Sequence, residues 1–236
     1  GRKEKQELTS RRAKVLRPLR SSFERYGEVF VSLGFSFVHN FVSLYDEGVG
    51  DEGLYSELTP PKSSGERWIG VAPFAKHKGK IYPLDCMEKV VSKLSEESRV
   101  KIFLFGSGDR EREILSLWRE RYPGVISLAD KRYGFAVELS LMSRLDVMIS
   151  MDSANMHLAS LVEVPVVSVW GATHPYCGFL GWRQSDSGVV ELPLDCRPCS
   201  VFGNKPCYRK DYACLEIAPE TIVDRVKSLE TLIKEQ

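Results

Sequence analysis

No apolar run in this chain of 236 residues approaches the roughly 20 residues that a membrane-spanning helix needs. Its first residues, Gly1 to Lys5, are charged rather than signal-like. Any membrane contact is therefore expected to be peripheral. Net charge is also missing: the formal value is +1, so the chain as a whole gives no reason to expect a nucleic-acid partner. Neither an internal repeat nor a low-complexity segment is visible. What remains is a 43% hydrophobic, 28% charged composition, long enough for one large core or for a domain with an appendage.

Charge is present locally. Arg2, Lys3, Lys5, Arg11, Arg12, Lys14, Arg17 and Arg20 face only Glu4 and Glu7, which makes this stretch +6 and the remainder about neutral to slightly acidic. Such a run reads either as a solvated face or arm, or as a contact for an anionic surface or acceptor. Leu16, Leu19, Phe23, Tyr26, Phe30 and Leu33 recur at spacings of three and four, which predicts a helix within residues 10–34 that Pro18 starts or kinks and Gly34 ends. The segment from Tyr45 to Arg67 has linker composition, with Gly48, Gly50, Gly53, Pro60, Pro61 and Ser63-Ser64-Gly65. We place a boundary there: residues 1–64 form a basic helical segment and linker, residues 65–236 a separate domain.

Beyond it, short apolar strands alternate with amphipathic helices. The strands read Trp68–Ala72, Val100–Phe105, Val125–Ser127, Val147–Ser150, Val166–Trp170 and, more weakly, Val189–Leu192. Helices are expected at 84–95, 110–121, 135–143, 153–162 and from Pro219 to about Lys234. This rhythm specifies an α/β class, a doubly wound, Rossmann-like parallel sheet. Ligands of such sheets bind at the carboxyl ends of the strands. The loops Ala72–Pro83, Gly106–Glu111, Ala129–Gly134, Met151–His157 and Gly171–Cys177 are therefore the ones to examine.

The most informative segment is Ile149-Ser150-Met151-Asp152-Ser153-Ala154-Asn155-Met156-His157-Leu158-Ala159. An apolar strand runs into a helix here, with Asp152 or Ser153 as the natural cap. Small residues leave backbone N–H groups facing outward, a site suited to a diphosphate, and His157 lies one turn on. Asp152-Ser153-Ala154-x-x-His157-x-Ala159, followed by Val164 to Thr173, resembles the main motif of glycosyltransferase family 9, the ADP-heptose:lipopolysaccharide heptosyltransferases. The usual form is Asp-Thr-Gly-x-x-His-x-Ala, then a strand and Gly-Pro-Thr; here Ser153, Ala154 and Ala172 replace Thr, Gly and Pro. Lys80-Ile81-Tyr82-Pro83 resembles the family's Lys-x-Trp-Pro loop ending, which Phe74 precedes in the same loop. Gly106-Ser107-Gly108-Asp109-Arg110-Glu111 offers a backbone loop with carboxylates for ribose hydroxyls, and spacing does not choose between Asp109 and Glu111.

The resemblance covers about Gly70 to Val226 and implies the donor-binding C-terminal part of a two-domain GT-B enzyme. It further implies an inverting transferase that moves a heptose, or related sugar, from an ADP-sugar to lipopolysaccharide core or a similar glycan. Lys80 would bind the donor phosphates, Asp152 would share the catalytic role, and Phe74, Gly106, Gly108, Asp109, Glu111, Ser153, Ala154 and His157 would complete the donor site. The family's catalytic base lies in its acceptor domain, so this chain alone is expected to lack it. The implied partners are a nucleotide-sugar donor and an anionic glycolipid acceptor, and the implied location is the cytoplasm, at the inner face of the bacterial inner membrane. No cofactor is required, because a cation and a helix dipole can stabilise a departing diphosphate. A GT-B transferase using a UDP- or GDP-sugar, or a nucleotide-binding domain without catalysis, are the rival readings.

Cysteines form a separate pattern. Cys196-x2-Cys199-x7-Cys207-x6-Cys214 could hold a structural zinc, although only the first pair has knuckle spacing; reduced thiols or disulfides are the alternative.

Overall fold

The computed structural model describes residues 1–234. Six parallel strands carry the fold: β1 (Arg67–Ala72), β2 (Val100–Leu104), β3 (Val125–Ser127), β4 (Val147–Met151), β5 (Val166–Trp170) and β6 (Val189–Glu191). They lie in the order β3-β2-β1-β4-β5-β6, so the winding reverses between β1 and β4. The helices are α1 (Arg2–Leu8), α2 (Ser22–Ser32), α3 (Leu84–Ser95), α4 (Asp109–Arg121), α5 (Phe135–Met142), α6 (Ala154–Leu161) and α7 (Pro219–Lys234). The expected strands and helices of the α/β part recur to within a residue or so at each end.

Alternation along each strand assigns the two faces of the sheet. Ile69 and Val71 of β1, Ile102 and Leu104 of β2, and Ile149 of β4 pack on one face against Val90, Leu94, Leu115, Trp118 and Val226. Trp68, Phe103, Met148 and Trp170 pack on the other against Leu141, Met142, Met156 and Ala159. Each fully buried aliphatic or aromatic side chain of this kind contributes about 1.5–3 kcal/mol. Both layers must be closed before the carboxyl edge of the sheet can hold loops in place.

The N-terminal helix differs from expectation. Residues 10–21 are not helical, and α2 begins only at Ser22, because Ser21 and Glu24 form a reciprocal capping box. Pro18, with no N–H, lies in the extended stretch before it. Spacing alone suggested an apolar core face, yet Tyr26 and Leu33 are 71% and 67% exposed. The extended stretch is tied down by its backbone instead: Leu19 N–H donates to the Tyr176 carbonyl (2.9 Å) and Ser22 N–H to that of Gly178 (3.0 Å).

The basic run is likewise seated on the fold. Leu8 is fully buried. Lys14 Nζ donates to the carbonyls of Cys196 (3.1 Å) and Pro198 (2.9 Å), and the Arg11 guanidinium lies 4.2 Å from the centre of the Tyr208 ring. The Gly-rich stretch after Tyr45 lies against α5, where Gly50 N–H donates to Ser143 Oγ (2.8 Å) and Ser140 Oγ to the Asp51 carbonyl (2.6 Å). No helix among the described residues is long and apolar enough to cross a membrane.

Candidate donor-binding site

A cavity of ≈ 1360 Å³ opens at the carboxyl edge of the sheet, where the strand order reverses. It is lined by Phe74 and Lys80 after β1, the Gly106–Glu111 loop after β2, Leu128 and Ala129 after β3, and Asp152–Asn155 with His157 after β4. The loop after β5 turns away: His174, Pro175 and Tyr176 line a second cavity of ≈ 890 Å³.

Three helices start on the rim of the first cavity, and none has a side-chain cap. α4 follows Gly108 (φ 86°), α5 follows Gly134 (φ 83°), and α6 follows Ser153, whose hydroxyl lies near Ser150 Oγ (3.3 Å) instead of on the helix amides. The leading N–H groups of a helix need acceptors, and the positive ends of three helix dipoles point toward one space. An anion with several oxygens satisfies both demands.

Lys80 stands beside these amides. Its Nζ is 3.0 Å from Asp152 Oδ2, with the two side chains 15% and 5% exposed. Thr173 Oγ1 donates to the same oxygen (2.8 Å). Asp152 thus does two things: it compensates the lysine in a drier environment and fixes where the ammonium stands. His157 shares the wall. Burial lowers its pKa from the ordinary imidazole value; the Asp152 charge opposes this and Lys80 adds to it. The ring is therefore neutral near pH 7 and has an N–H to donate.

The sequence model described as glycosyltransferase family 9 (heptosyltransferase) matches residues 50–207. The chain belongs to glycosyltransferase family 9. Lipooligosaccharide heptosyltransferase 2 of Campylobacter jejuni subsp. jejuni serotype O:6 is 25% identical over 172 residues, which cover 71% of this chain and 53% of that protein. The chain thus spans about half the length of the curated relatives it matches. Among solved structures, the E. coli ADP-heptose LPS heptosyltransferase II superposes with a TM-score of 0.66 at 17% identity, covering 92% of this chain and 63% of that one. The E. coli heptosyltransferase WaaC with ADP gives 0.61 at 16%, covering 93% and 60%. These superpositions show the shared fold.

Within this family 9 chain the expected site residues separate. Lys80, Asp152, Ser153, Ala154 and His157 meet on the cavity wall where the central strands β1 and β4 adjoin. Of the two acidic candidates, Asp109 points to solvent, its side chain 97% exposed and paired with Arg112. Glu111 folds back, its Oε2 accepting from Ser107 N–H (2.8 Å), and so stays inside the loop. Phe74 is half-buried between the cavity and the core. Tyr82, standing at the family's Trp position, is fully buried, and its hydroxyl donates to the Ile217 carbonyl (2.5 Å), which anchors the lysine loop from below.

Spacing did not single out Thr173 as a partner of Asp152, although the Gly-x-Thr ending after β5 was its signal. It also missed Glu138, a cavity-lining carboxylic acid whose pKa burial raises. Phe179 and Phe202 were equally hidden; both line the cavity from segments distant in sequence.

The cysteine segment closes one wall of the cavity, which Val201 and Phe202 line. Cys196, Cys199, Cys207 and Cys214 are free thiols, and no three of the described His, Cys, Asp or Glu side chains stand as a ligand set. Burial pushes the Cys214 thiol up to about 11 and raises that of Cys199. The segment is held by Arg197, 3% exposed, whose guanidinium donates to the carbonyls of Gly171 (2.5 Å), Leu192 (2.6 Å) and Thr173 (2.9 Å) and to Glu191 (2.8 Å).

Proposed function

We propose that this chain supplies the donor half of an inverting heptosyltransferase, binding an ADP-sugar and serving transfer of its heptose to a hydroxyl of lipopolysaccharide core or a similar glycan. The observation that carries this is the convergence of Lys80 with three uncapped helix starts on one cavity. Family membership narrows an anion site to a nucleotide-sugar site. The names of relatives that act on lipooligosaccharide, and of neighbours solved with ADP, supply the donor and acceptor classes.

As the glycosidic bond breaks, the diphosphate gains charge. The Lys80 ammonium, the amides at Ser153 and Ala154 and the His157 N–H stabilise that charge without reorganising, because Asp152 and the fold already hold them. Glu111 with the Gly106–Gly108 backbone suits the ribose hydroxyls, and the apolar walls at Phe74, Leu128 and Ala129 suit the base. Asp152, committed to Lys80 and Thr173, is a positioning group. The base that accepts the acceptor's proton on the opposite face of the sugar belongs, in this reading, to an acceptor-binding half outside these residues. The site needs no metal for this role, and contact with the membrane, if the acceptor is membrane-bound, is peripheral and cytoplasmic.

Calorimetric titration of the chain with ADP, UDP and GDP tests the reading. ADP should bind with the highest affinity and do so through Lys80 and α6. Preference for UDP or GDP would move the chain to another donor class, and no binding of any of the three would remove the nucleotide-sugar reading.

A further inference from the structure

The cavity has a second end that the diphosphate and nucleoside do not fill. Lys80 and the start of α6, assigned above to the phosphates, stand where the central strands β1 and β4 adjoin, and the loop residues assigned to the ribose and base follow β2 and β3. On the far side the lining residues are Phe179, from the segment after β5, with Val201 and Phe202 of the cysteine segment. The position of Phe202 is fixed by its neighbour. A Cβ on Gly203 (φ +73°) would fall 2.5 Å from Cγ and Cδ of Lys80 and 3.4 Å from Thr173 Cγ2, so this backbone rests directly on the stem of the phosphate-binding lysine. Phe202 is therefore one residue from the leaving-group end of the site.

Two aromatic rings meet there. The Phe179 and Phe202 centroids are 5.5 Å apart at an interplanar angle of 40°. Arg25 and Lys5 lie 6.0 Å and 5.6 Å from them, which anchors each ring by its quadrupole. Yet Phe202 remains 51% exposed. A large aromatic ring left open on a cavity wall, and braced by a cation from the N-terminal segment, has surface for a partner with an apolar face. A pyranose has one: its axial C–H groups form a flat, weakly positive patch that complements the negative face of an aromatic ring.

We propose that Phe179 and Phe202 form the platform on which the sugar ring of the donor rests, on the β5 side of the diphosphate. The inference depends on the nucleotide-sugar reading above and deepens it. The platform fixes the sugar's orientation relative to Lys80, leaving the opposite face of the ring open for the incoming hydroxyl.

The test compares two ligands on the same chain, ADP and ADP-heptose, by titration calorimetry. Phe202→Ala should weaken ADP-heptose about fivefold while leaving ADP within about twofold, and Phe202→Tyr, which keeps the flat ring, should restore the loss. Phe179→Leu, milder because Phe179 is partly buried, should shift the same ratio in the same direction. Thermal melts establish that the variants are folded. Equal effects on both ligands, or none on either, would overturn the platform while ADP binding keeps the donor site intact. If the unmodified chain binds no ADP, the nucleotide-sugar reading fails and the platform with it.

Discussion

Lys80 and Asp152 can be separated into a stability role and a binding role. Lys80→Ala leaves Asp152, 5% exposed, with a hydroxyl but no cation. Removing one partner from a buried pair costs about 3–5 kcal/mol, and the residual access to Lys80 places the cost near the lower end, about 3 kcal/mol. For a chain of this size that lowers the melting temperature by about 6–12 °C. In the double variant Lys80→Ala/Asp152→Asn no charge is stranded, and the Asn oxygen still accepts from Thr173, so stability should return to within about 1 kcal/mol of the parent. ADP affinity should not return. A charge-assisted hydrogen bond to phosphate is worth about 1.5–3 kcal/mol, so each variant lacking Lys80 should bind ADP about ten- to a hundredfold more weakly. Thermal melts combined with ADP titrations provide the four corners of the cycle. If the single Lys80 variant melts like the parent, or the double variant regains ADP binding, the assignment of Lys80 to phosphate and Asp152 to its support is refuted.

Further expectations concern the helix, the histidine and the loop wall. Ala154 is the first residue of α6 and follows an extended Ser153 (φ −146°, ψ −179°), so Ala154→Pro should be accepted by the fold while deleting one phosphate-facing N–H; ADP titration should show about a tenfold loss with an almost unchanged melt. Because the folded pKa of His157 lies below its unfolded value, the unfolded chain takes up more protons below about pH 6.5, and the free protein should lose stability as pH falls through that range. A bound diphosphate raises that pKa, so ADP binding should take up protons between pH 7 and 6; calorimetry in buffers of different ionisation enthalpy should show uptake that His157→Gln reduces. Arg197→Lys keeps the charge but cannot reproduce a fork that reaches three carbonyls and Glu191; it should cost about 3 kcal/mol in denaturant unfolding, and an unaltered midpoint would show that the cysteine segment is held by something else.

The parts of the molecule that were legible share a physical property: their determinants are close in sequence. Strands buried on both faces must be continuous apolar runs, and the helices between them must be amphipathic, so β1 to β6 and α3 to α7 follow from local periodicity. Asp152, Ser153, Ala154 and His157 occupy one strand-to-helix turn, and their spacing alone brings them together. Local pattern failed where two local signals competed. Leu16 and Leu19 fit a helical stripe, but Ser21 and Glu24 form a capping box that starts the helix after them, a Ser-x-x-Glu signal that apolar spacing does not register.

Tertiary structure alone decided the rest. That Glu111 folds back onto the Ser107 amide while Asp109 stays exposed beside Arg112 is set by the folded loop, not by spacing. The seating of the basic run depends on carbonyls at Cys196 and Pro198, far along the chain. Gly203 against Lys80, and Phe202 against Phe179, join segments whose separation carries no periodicity. A sequence specifies the order of its elements through repeating local burial; it specifies which loops meet only through the closed packing of the whole sheet, because that packing sets the distances between loop ends. The turn that carries Asp152, Ser153, Ala154 and His157 was therefore determined in one dimension, and the meeting of Phe179 with Phe202 only in three.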